Sequence, residues 1–315
     1  IKALYSKIMH ILLTKFYKNS VLVEQYFWKH YAISLNKLPK KYDVAIGFQE
    51  KNPIYFCINK VNATKRIGWI HTDLEVLGID FNYESKWFAK LNTIVVVSDG
   101  LKQRLSIKLP QYAKKIVSIE NINSKKTTHH LAQQKTSPIF NKNTFNIIFV
   151  GRIAQEKGLF LALDAIEILV KKNYEINWYL IGEGNKKEEL LQQATQKGIL
   201  QYIHFLGLQS NPYPYIKQAD LFLLTSLYEG KSISLEEAKL LCKPIVITNF
   251  SSAKDQIQHN INGLIADMNA EAVAKAIEKY ILNKDLRNQF SRQLQDTATG
   301  NEDQINLLYK LFENE

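Results

Sequence analysis

The chain has 315 residues, a hydrophobic content of 46% and a formal net charge of +11. That length is about twice a usual single domain, so two cores are expected, and no apolar run reaches the roughly 18 residues of a membrane-spanning helix. Its two cysteines, Cys57 and Cys242, lie far apart without metal-ligand spacing, which argues against a disulfide scaffold or a thiolate metal site and for a reducing, cytoplasmic setting.

The positive charge fits nucleic acid, an anionic membrane surface or a polyanionic substrate. The lysines are scattered and no nucleic-acid motif occurs, so no nucleic-acid partner is expected. A lysine-rich composition set by genome base content accounts for the charge equally well.

In chain order, residue 1 is Ile, and Ile1–Lys7 reads as an amphipathic helix entered partway, so the chain is expected to lack its true start. Residues 1–38 carry Leu4, Ile8, Ile11, Leu12 and Phe16, then Val21, Val23, Tyr26, Phe27 and Tyr31, at helical period with a break at Asn19-Ser20. Lys2, Lys7, Lys15 and Lys18 around the first apolar face suit an anionic membrane; the preferred reading is an ordinary surface helix with that face on the core. Strands are predicted at 42–48, 65–71, 94–98 and 115–119, with helices at 53–60 and 101–105. The polar stretch 123–144 reads as an interdomain linker. Beyond it, strands at 145–150, 177–181, 203–206, 221–225, 244–248 and 263–265 alternate with helices at 158–171, 186–197, 213–218 and 233–241. Helices at 270–282 and 284–296 and a helical tail at 302–312 follow. The expectation is an α/β chain of two Rossmann-like, doubly wound parallel domains: 1–138, incomplete; 139–296; and a C-terminal helix in 297–315 with the option of packing back on the first domain.

Open α/β sheets bind ligands at the carboxyl ends of their strands. Four groups of residues fall there. Gly151-Arg152 and Lys157-Gly158 put two cations on the loop after the strand 145–150, suited to a diphosphate or simply to solvent. The turn Gly182-Glu183-Gly184-Asn185 is weakly specific, and taken alone its preferred reading is a structural turn. The stretch 226–239 is a strand-to-helix turn holding Glu229 and, eight residues on, Glu237. A glycosidase-like carboxylate pair is disfavoured, since Glu237 lies about two helical turns away; a diol-gripping role suits it better, and two surface glutamates remain the plain alternative. Only one of Glu236 and Glu237 can face the site. Gly230 lets the backbone approach a ligand, and the amides of Lys231 and Ser232 are expected to be free at a helix N-terminus. His71, with Thr72 and Asp73, ends a strand of the first domain, where a structural and a functional histidine are equally expected. No Asp, Glu and His cluster has metal-ligand spacing, and neither Ser98 nor Ser226 has a nucleophile-elbow pattern.

Taken in order, Gly151-Arg152, Lys157-Gly158, Gly182-Glu183-Gly184, Phe205-Leu206-Gly207, Ala219-Asp220, Ser226–Gly230 with Glu237, Pro244-Ile245-Val246 and Asn262–Ile265 resemble the retaining bacterial glycosyltransferases of family 4, which have the GT-B fold. Glu229 and Glu237 match that family's E-x7-E signature. Tyr42–Ile46, Trp69–Asp73 and Val97-Ser98 look like members that build capsular, exopolysaccharide or lipopolysaccharide sugars.

The resemblance implies two Rossmann-like domains facing across a cleft, a nucleotide-sugar donor, most often of uridine diphosphate, and a lipid-linked or surface-glycan acceptor. It gives the diphosphate to Arg152 and Lys157, the ribose to Glu237, and the donor sugar to Glu229 and His71. It places Gly151, Gly184, Asn185, Leu206 and Gly207 near base and phosphates, and the amides of Gly230, Lys231 and Ser232 near the sugar or distal phosphate. No metal and no cofactor is implied, and the setting is the cytoplasmic face of the membrane, with peripheral contact to anionic lipid. The family's opening strand and glycine-rich turn have no counterpart here, and Lys231-Ser232 and Thr225 replace its commoner Phe-Gly and Pro. A nucleotide-sugar-binding fragment without catalysis, and a nucleotide-sugar epimerase on the same fold, are the alternatives.

Overall fold

The computed structural model describes residues 2–135 and 140–313. The chain divides into two compact units: one runs to Asn121 and takes in the segment from Asp303 on, the other is Ile122–Glu302.

The first unit contains α1 (Lys2–Phe16), α2 (Ser20–Tyr31), β1 (Lys41–Gly47), α3 (Asn52–Lys60), β2 (Asn62–Ile70), α4 (Leu74–Leu77), α5 (Phe81–Phe88), β3 (Thr93–Val96), α6 (Asp99–Lys108) and β4 (Ile116–Ser118). The strands form a parallel sheet in the order β1-β2-β3-β4. The run Ile94–Val97 has no exposed surface at all, as a β-branched strand with helices on both faces should. Ser98 and Asp80 cap the next helices by accepting from the amides of Leu101, and of Asn82 and Tyr83.

One expectation fails here. The apolar side of α1 is not in the core: its one buried residue is Ser6, while Leu4, Ile8, Ile11, Leu12 and Phe16 are exposed, Phe16 by 84%. Alpha-helical period fixes which residues share a face, not what covers that face.

The first core also holds a buried carboxyl. Glu84 on α5 is fully buried. Its Oε2 accepts from Gln25 of α2 at 2.8 Å and from the Tyr55 hydroxyl of α3, while Oε1 has no partner among the described residues. Burial pushes its pKa up to about 7. The native state therefore binds the proton more tightly than the unfolded chain, whose carboxyl titrates near ~4.3. The stabilisation is complete below that value and is lost as pH rises through about 7. Stability is expected to fall between roughly pH 4 and 7, by on the order of 2–4 kcal/mol, with the melting temperature following it, and Glu84→Gln should flatten that fall. Parallel curves for parent and variant would show that Glu84 is not the titrating group.

The second unit contains α7 (Lys125–Leu131), β5 (Phe145–Val150), α8 (Leu159–Lys171), β6 (Ile176–Ile181), α9 (Lys187–Gln196), β7 (Ile203–Gly207), α10 (Tyr213–Gln218), β8 (Leu221–Leu224), α11 (Ile233–Leu240), β9 (Ile245–Thr248), α12 (Ala253–Gln256), β10 (Leu264–Ala266), α13 (Ala270–Leu282) and α14 (Lys284–Thr297). Its sheet is parallel, in the order β10-β9-β8-β5-β6-β7. Starting at β5 the chain builds outward to β7, then returns to the other side of β5 and builds outward to β10. Ile147, Ile148, Leu221, Phe222, Ile245 and Val246 are fully buried at the centre.

The last helix, α15 (Gln304–Phe312), belongs with the first unit, where Leu308 and Leu311 pack against the core around Trp28 and Ile67.

The expected linker at 123–144 and the boundary at 138/139 do not match this division. Lys125–Leu131 is a helix, and the second unit begins at Ile122. Ser124 caps that helix through the Thr127 amide, Thr128 is buried, and His129 Nε2 bonds the Leu240 carbonyl at 2.8 Å. A helix of seven residues with so few apolar side chains gives no periodic signal; its contacts are made by hydroxyl and imidazole groups instead. Residues 136–139 of the expected linker, and Ile1 and 314–315 of the expected termini, lie outside the described residues.

Candidate functional site

β5 and β8 are neighbours, with Ile147 and Ile148 paired to Leu221 and Phe222. The chain leaves them in opposite directions along the sheet, so the loops beyond their carboxyl ends, 151–158 and 225–232, flank the topological switch point. Backbone and hydroxyl bonds join these loops. Leu227 donates its amide to the Glu156 carbonyl at 2.8 Å, and the Thr225 hydroxyl donates to the Lys157 carbonyl at 3.2 Å. Gly158 sits in the left-handed region at φ +59, and a Cβ there would stand 2.0 Å from the Thr225 carbonyl oxygen. Only glycine allows the two loops this close.

That approach brings two of the expected residues into contact. Lys157 Nζ lies 2.5 Å from Glu229 Oε1, and the buried Ser226 hydroxyl donates to the same oxygen at 2.7 Å. Ser252 holds the Glu229 carbonyl at 2.8 Å. The Lys157 and Glu229 side chains are only 19% and 12% exposed. An ammonium has three protons, so Lys157 can hold Glu229 and still donate to an anionic oxygen. Arg152 is placed differently. Its side chain is 72% exposed and its Nε is 3.6 Å from Glu156, a loose surface pair that yields easily to a stronger anion. Tyr228 lies within the electrostatic reach of both groups: burial raises its pKa, Glu156 and Glu229 raise it further, and Arg152 opposes them.

The start of α11 corrects the sequence reading. Ser232 is its N-cap, accepting from Leu235 at 3.4 Å, but the Ser232 amide is not free: it donates to Gln256 Oε1 at 2.8 Å. Gln256 is buried and also reaches the Ser252 hydroxyl at 3.0 Å, so α12 braces the turn. Gly230 is buried and Lys231 half-buried beside it.

Glu237 is set apart from Glu229 by its partner. Its Oε1 accepts from the Tyr213 hydroxyl at 2.9 Å, and burial raises its pKa while that hydrogen bond opposes the rise. Glu236 pairs with Lys239 at 3.0 Å, so only one of the adjacent glutamates is turned to Tyr213.

The turn after β6 is bound to the loop after β5. Ile153 donates to the Glu183 carbonyl at 3.0 Å and accepts from Lys186 at 3.1 Å. A Cβ on Gly184 would meet the Ile153 oxygen at 2.1 Å, and Asn185 beyond it is exposed. Gly207 accepts from Gly182 at 2.8 Å, and the Leu206 carbonyl is taken by the Gln209 side chain at 2.7 Å. Gly151 donates to Ile181 at 3.0 Å.

His71 belongs to the first unit, just beyond β2. Its amide donates to Glu50 Oε2 at 3.0 Å, and its ring lies 5.0 Å from Phe48 and 6.3 Å from Trp69. Burial lowers its pKa, so the ring is neutral at pH 7, and its Nε2 is buried without a partner among the described residues. Among the described residues, no group of three or more His, Cys, Asp or Glu is placed to hold a metal ion.

Sequence reasoning missed Ser226 as a partner of Glu229, and it missed Gln256, Tyr213 and Thr128 entirely. Ser226 lies in the Ser226–Gly230 turn; the other three carry no local signal, because their partners are distant in sequence.

Known proteins resemble this chain in sequence and fold. The lipopolysaccharide core biosynthesis glycosyltransferase LpsE of Rhizobium meliloti is 25% identical over 155 residues, covering 49% of this chain and 44% of LpsE. The poly(ribitol-phosphate) alpha-N-acetylglucosaminyltransferase of Staphylococcus aureus is 25% identical over 209 residues, 66% of this chain and 40% of that enzyme. The chain thus spans less than half the length of either. Among solved structures, S. aureus TarM bound to fondaparinux, alpha-GlcNAc-glycerol and UDP superposes with a TM-score of 0.67 at 22% identity, covering 83% of this chain and 53% of TarM. Anabaena HepE with UDP and glucose superposes at 0.71 and 18% identity, covering 85% and 77%. These likenesses fix the fold as GT-B, and the two parallel sheets agree with it. Residues 109–297 match the family of glycosyl transferases group 1, and the chain belongs to that family.

Proposed function

We propose that the chain is a retaining glycosyltransferase that moves a hexose or N-acetylhexosamine from a uridine diphosphate sugar to a lipid-linked or surface-glycan acceptor, without a metal ion or other cofactor. The observation that carries this is the Lys157–Glu229–Ser226 cluster at the switch point of the second sheet. Uridine is supported by the fold neighbours whose structures contain UDP.

In this reading Arg152 and Lys157 bind the diphosphate and take up the charge that develops as the bond from the anomeric carbon to phosphate oxygen breaks. Lys157 also neutralises Glu229, which allows that carboxylate to meet the sugar hydroxyls close to a phosphate. The acceptor hydroxyl attacks from the same face, passing its proton to the leaving phosphate oxygen as its own oxygen bonds the anomeric carbon. Glu237 holds the ribose. Gly230 and Lys231 line the sugar side, while Ser232 contributes as a helix cap rather than through its amide. Gly151, Gly184, Asn185, Leu206 and Gly207 border base and phosphates. His71 serves the donor sugar as a neutral hydrogen-bonding group.

A thermal-shift panel of nucleoside diphosphates with EDTA tests the donor site. A ligand at about 100 times its dissociation constant stabilises by roughly 2.7 kcal/mol. A uridine diphosphate shift that persists in EDTA is the expected outcome; flat curves for every nucleotide would remove the basis of the reading. Donor consumption without acceptor would point instead to epimerisation.

The proposed location is the cytoplasmic face of the membrane. No helix among the described residues is long and apolar enough to cross it. The exposed apolar side of α1, flanked by Lys2, Lys7 and Lys15 with no acidic residue before Glu24, suits peripheral contact with anionic lipid. Co-sedimentation with phosphatidylglycerol vesicles is expected, and Phe16→Ser with Ile8→Ser should abolish it; equal binding by parent and variant would rule out α1 as the contact.

A further inference from the structure

Three helices meet around Glu237, and two of them hold it from outside its own helix. Thr128 on α7 is buried and lies near the Tyr213 hydroxyl at the start of α10, where its side chain opposes the rise that burial imposes on that hydroxyl's pKa. Tyr213 donates that hydroxyl to Glu237 Oε1 at 2.9 Å, midway along α11. A second tie, His129 Nε2 to the Leu240 carbonyl at 2.8 Å, fixes α7 to the last turn of the same helix.

We propose that Tyr213 is the positioning residue for Glu237 and thereby sets the preference of the donor site for a ribonucleotide over a nucleotide lacking the ribose diol. This rests on the proposal that Glu237 holds the ribose. The physical reason is what a carboxylate must be to grip a diol. It must be ionised, so that both hydroxyls can donate to it, and it must be held in one rotamer. Burial works against the first, raising the Glu237 pKa. The phenol donor opposes that rise and fixes the rotamer at once. The proton stays on Tyr213, whose pKa is pushed up to about 12 by burial and by the Glu237 charge. The other groups around the carboxylate are engaged elsewhere: Glu236 with Lys239, and His129 with Leu240.

The test is calorimetric titration of the intact chain with uridine diphosphate and with 2′,3′-dideoxyuridine diphosphate, from pH 5 to 8. Parent, Tyr213→Phe and Glu237→Gln are compared, each checked by its melting temperature. Tyr213→Phe is expected to weaken uridine diphosphate about tenfold at pH 7, the scale of one hydrogen bond to a charged group, and to leave the dideoxy analogue nearly unchanged. As pH falls, the variant should lose its preference for the ribonucleotide at a higher pH than the parent, because Glu237 without its donor protonates earlier. Both proteins keep His129, so the difference between them reports Glu237. Equal losses for the two nucleotides at every pH would mean that Tyr213 only packs, and would overturn the proposal. If Glu237→Gln weakens only the ribonucleotide while Tyr213→Phe binds like the parent, the positioning role falls and the ribose assignment stands. If Glu237→Gln binds both like the parent, the ribose assignment falls, and this proposal with it.

Discussion

Lys157→Ala is expected to lower sugar transfer by about 10²–10³-fold, the usual loss when one preorganised charge-stabilising donor is removed from a site. The loss is electrostatic in origin. Lys157 is mostly shielded from water and 2.5 Å from Glu229. Without it, Glu229 keeps the Ser226 hydroxyl on that oxygen and, in the proposed donor complex, would face the diphosphate as an uncompensated negative charge. Transition-state stabilisation is lost and ground-state repulsion is added. Arg152→Ala should cost less, about tenfold, because its guanidinium is solvated and loosely paired. The measurement is transfer from a uridine diphosphate sugar, with the melting temperature as a check on folding. Turnover unchanged in Lys157→Ala would overturn the assignment of the phosphate site.

Gly158→Ala is expected to damage both stability and nucleotide binding. The left-handed conformation at φ +59 costs an alanine about 1 kcal/mol. The larger cost is steric: the new Cβ would stand 2.0 Å from the Thr225 carbonyl oxygen, and backbone cannot step aside as a flexible side chain does. The loops after β5 and β8 must part, which separates Lys157 from Glu229. A loss of more than about 3 kcal/mol is expected, together with loss of the uridine diphosphate shift. Gly198 is the control. It also has positive φ, +70, but nothing lies within 4 Å of its Cβ position, so Gly198→Ala should cost only the conformational part and leave binding intact. Similar melting temperatures for the two variants would refute the close-approach argument.

The sequence by itself determined the strands, the helices after most of them and the order of the ligand-edge loops, but not the helices Leu74–Leu77, Phe81–Phe88 and Ala253–Gln256. Buried parallel strands announce themselves as short apolar runs, β-branched in Ile94–Val97 and built of Leu and Phe in Leu221–Leu224, and glycines mark the turns beyond them. These signals are local, and they were enough to place Arg152, Lys157, Gly184, Glu229 and Glu237 at strand ends or on the helix beyond, and to carry the family resemblance. What only the tertiary structure decided is which groups those residues meet. Lys157 finds Glu229 across 72 positions, Ser232 gives its amide to Gln256 across 24, and Glu237 finds Tyr213 across 24. The polar stretch 125–131 became a helix that braces the second unit, and the apolar side of α1 stayed in solvent. Periodicity tells which side chains share a face, because that follows from backbone geometry alone. It cannot tell what stands opposite, because that depends on where distant segments arrive. Polar partners are the least legible of all: a hydrogen bond needs one donor in one place and leaves no repeating pattern in the chain.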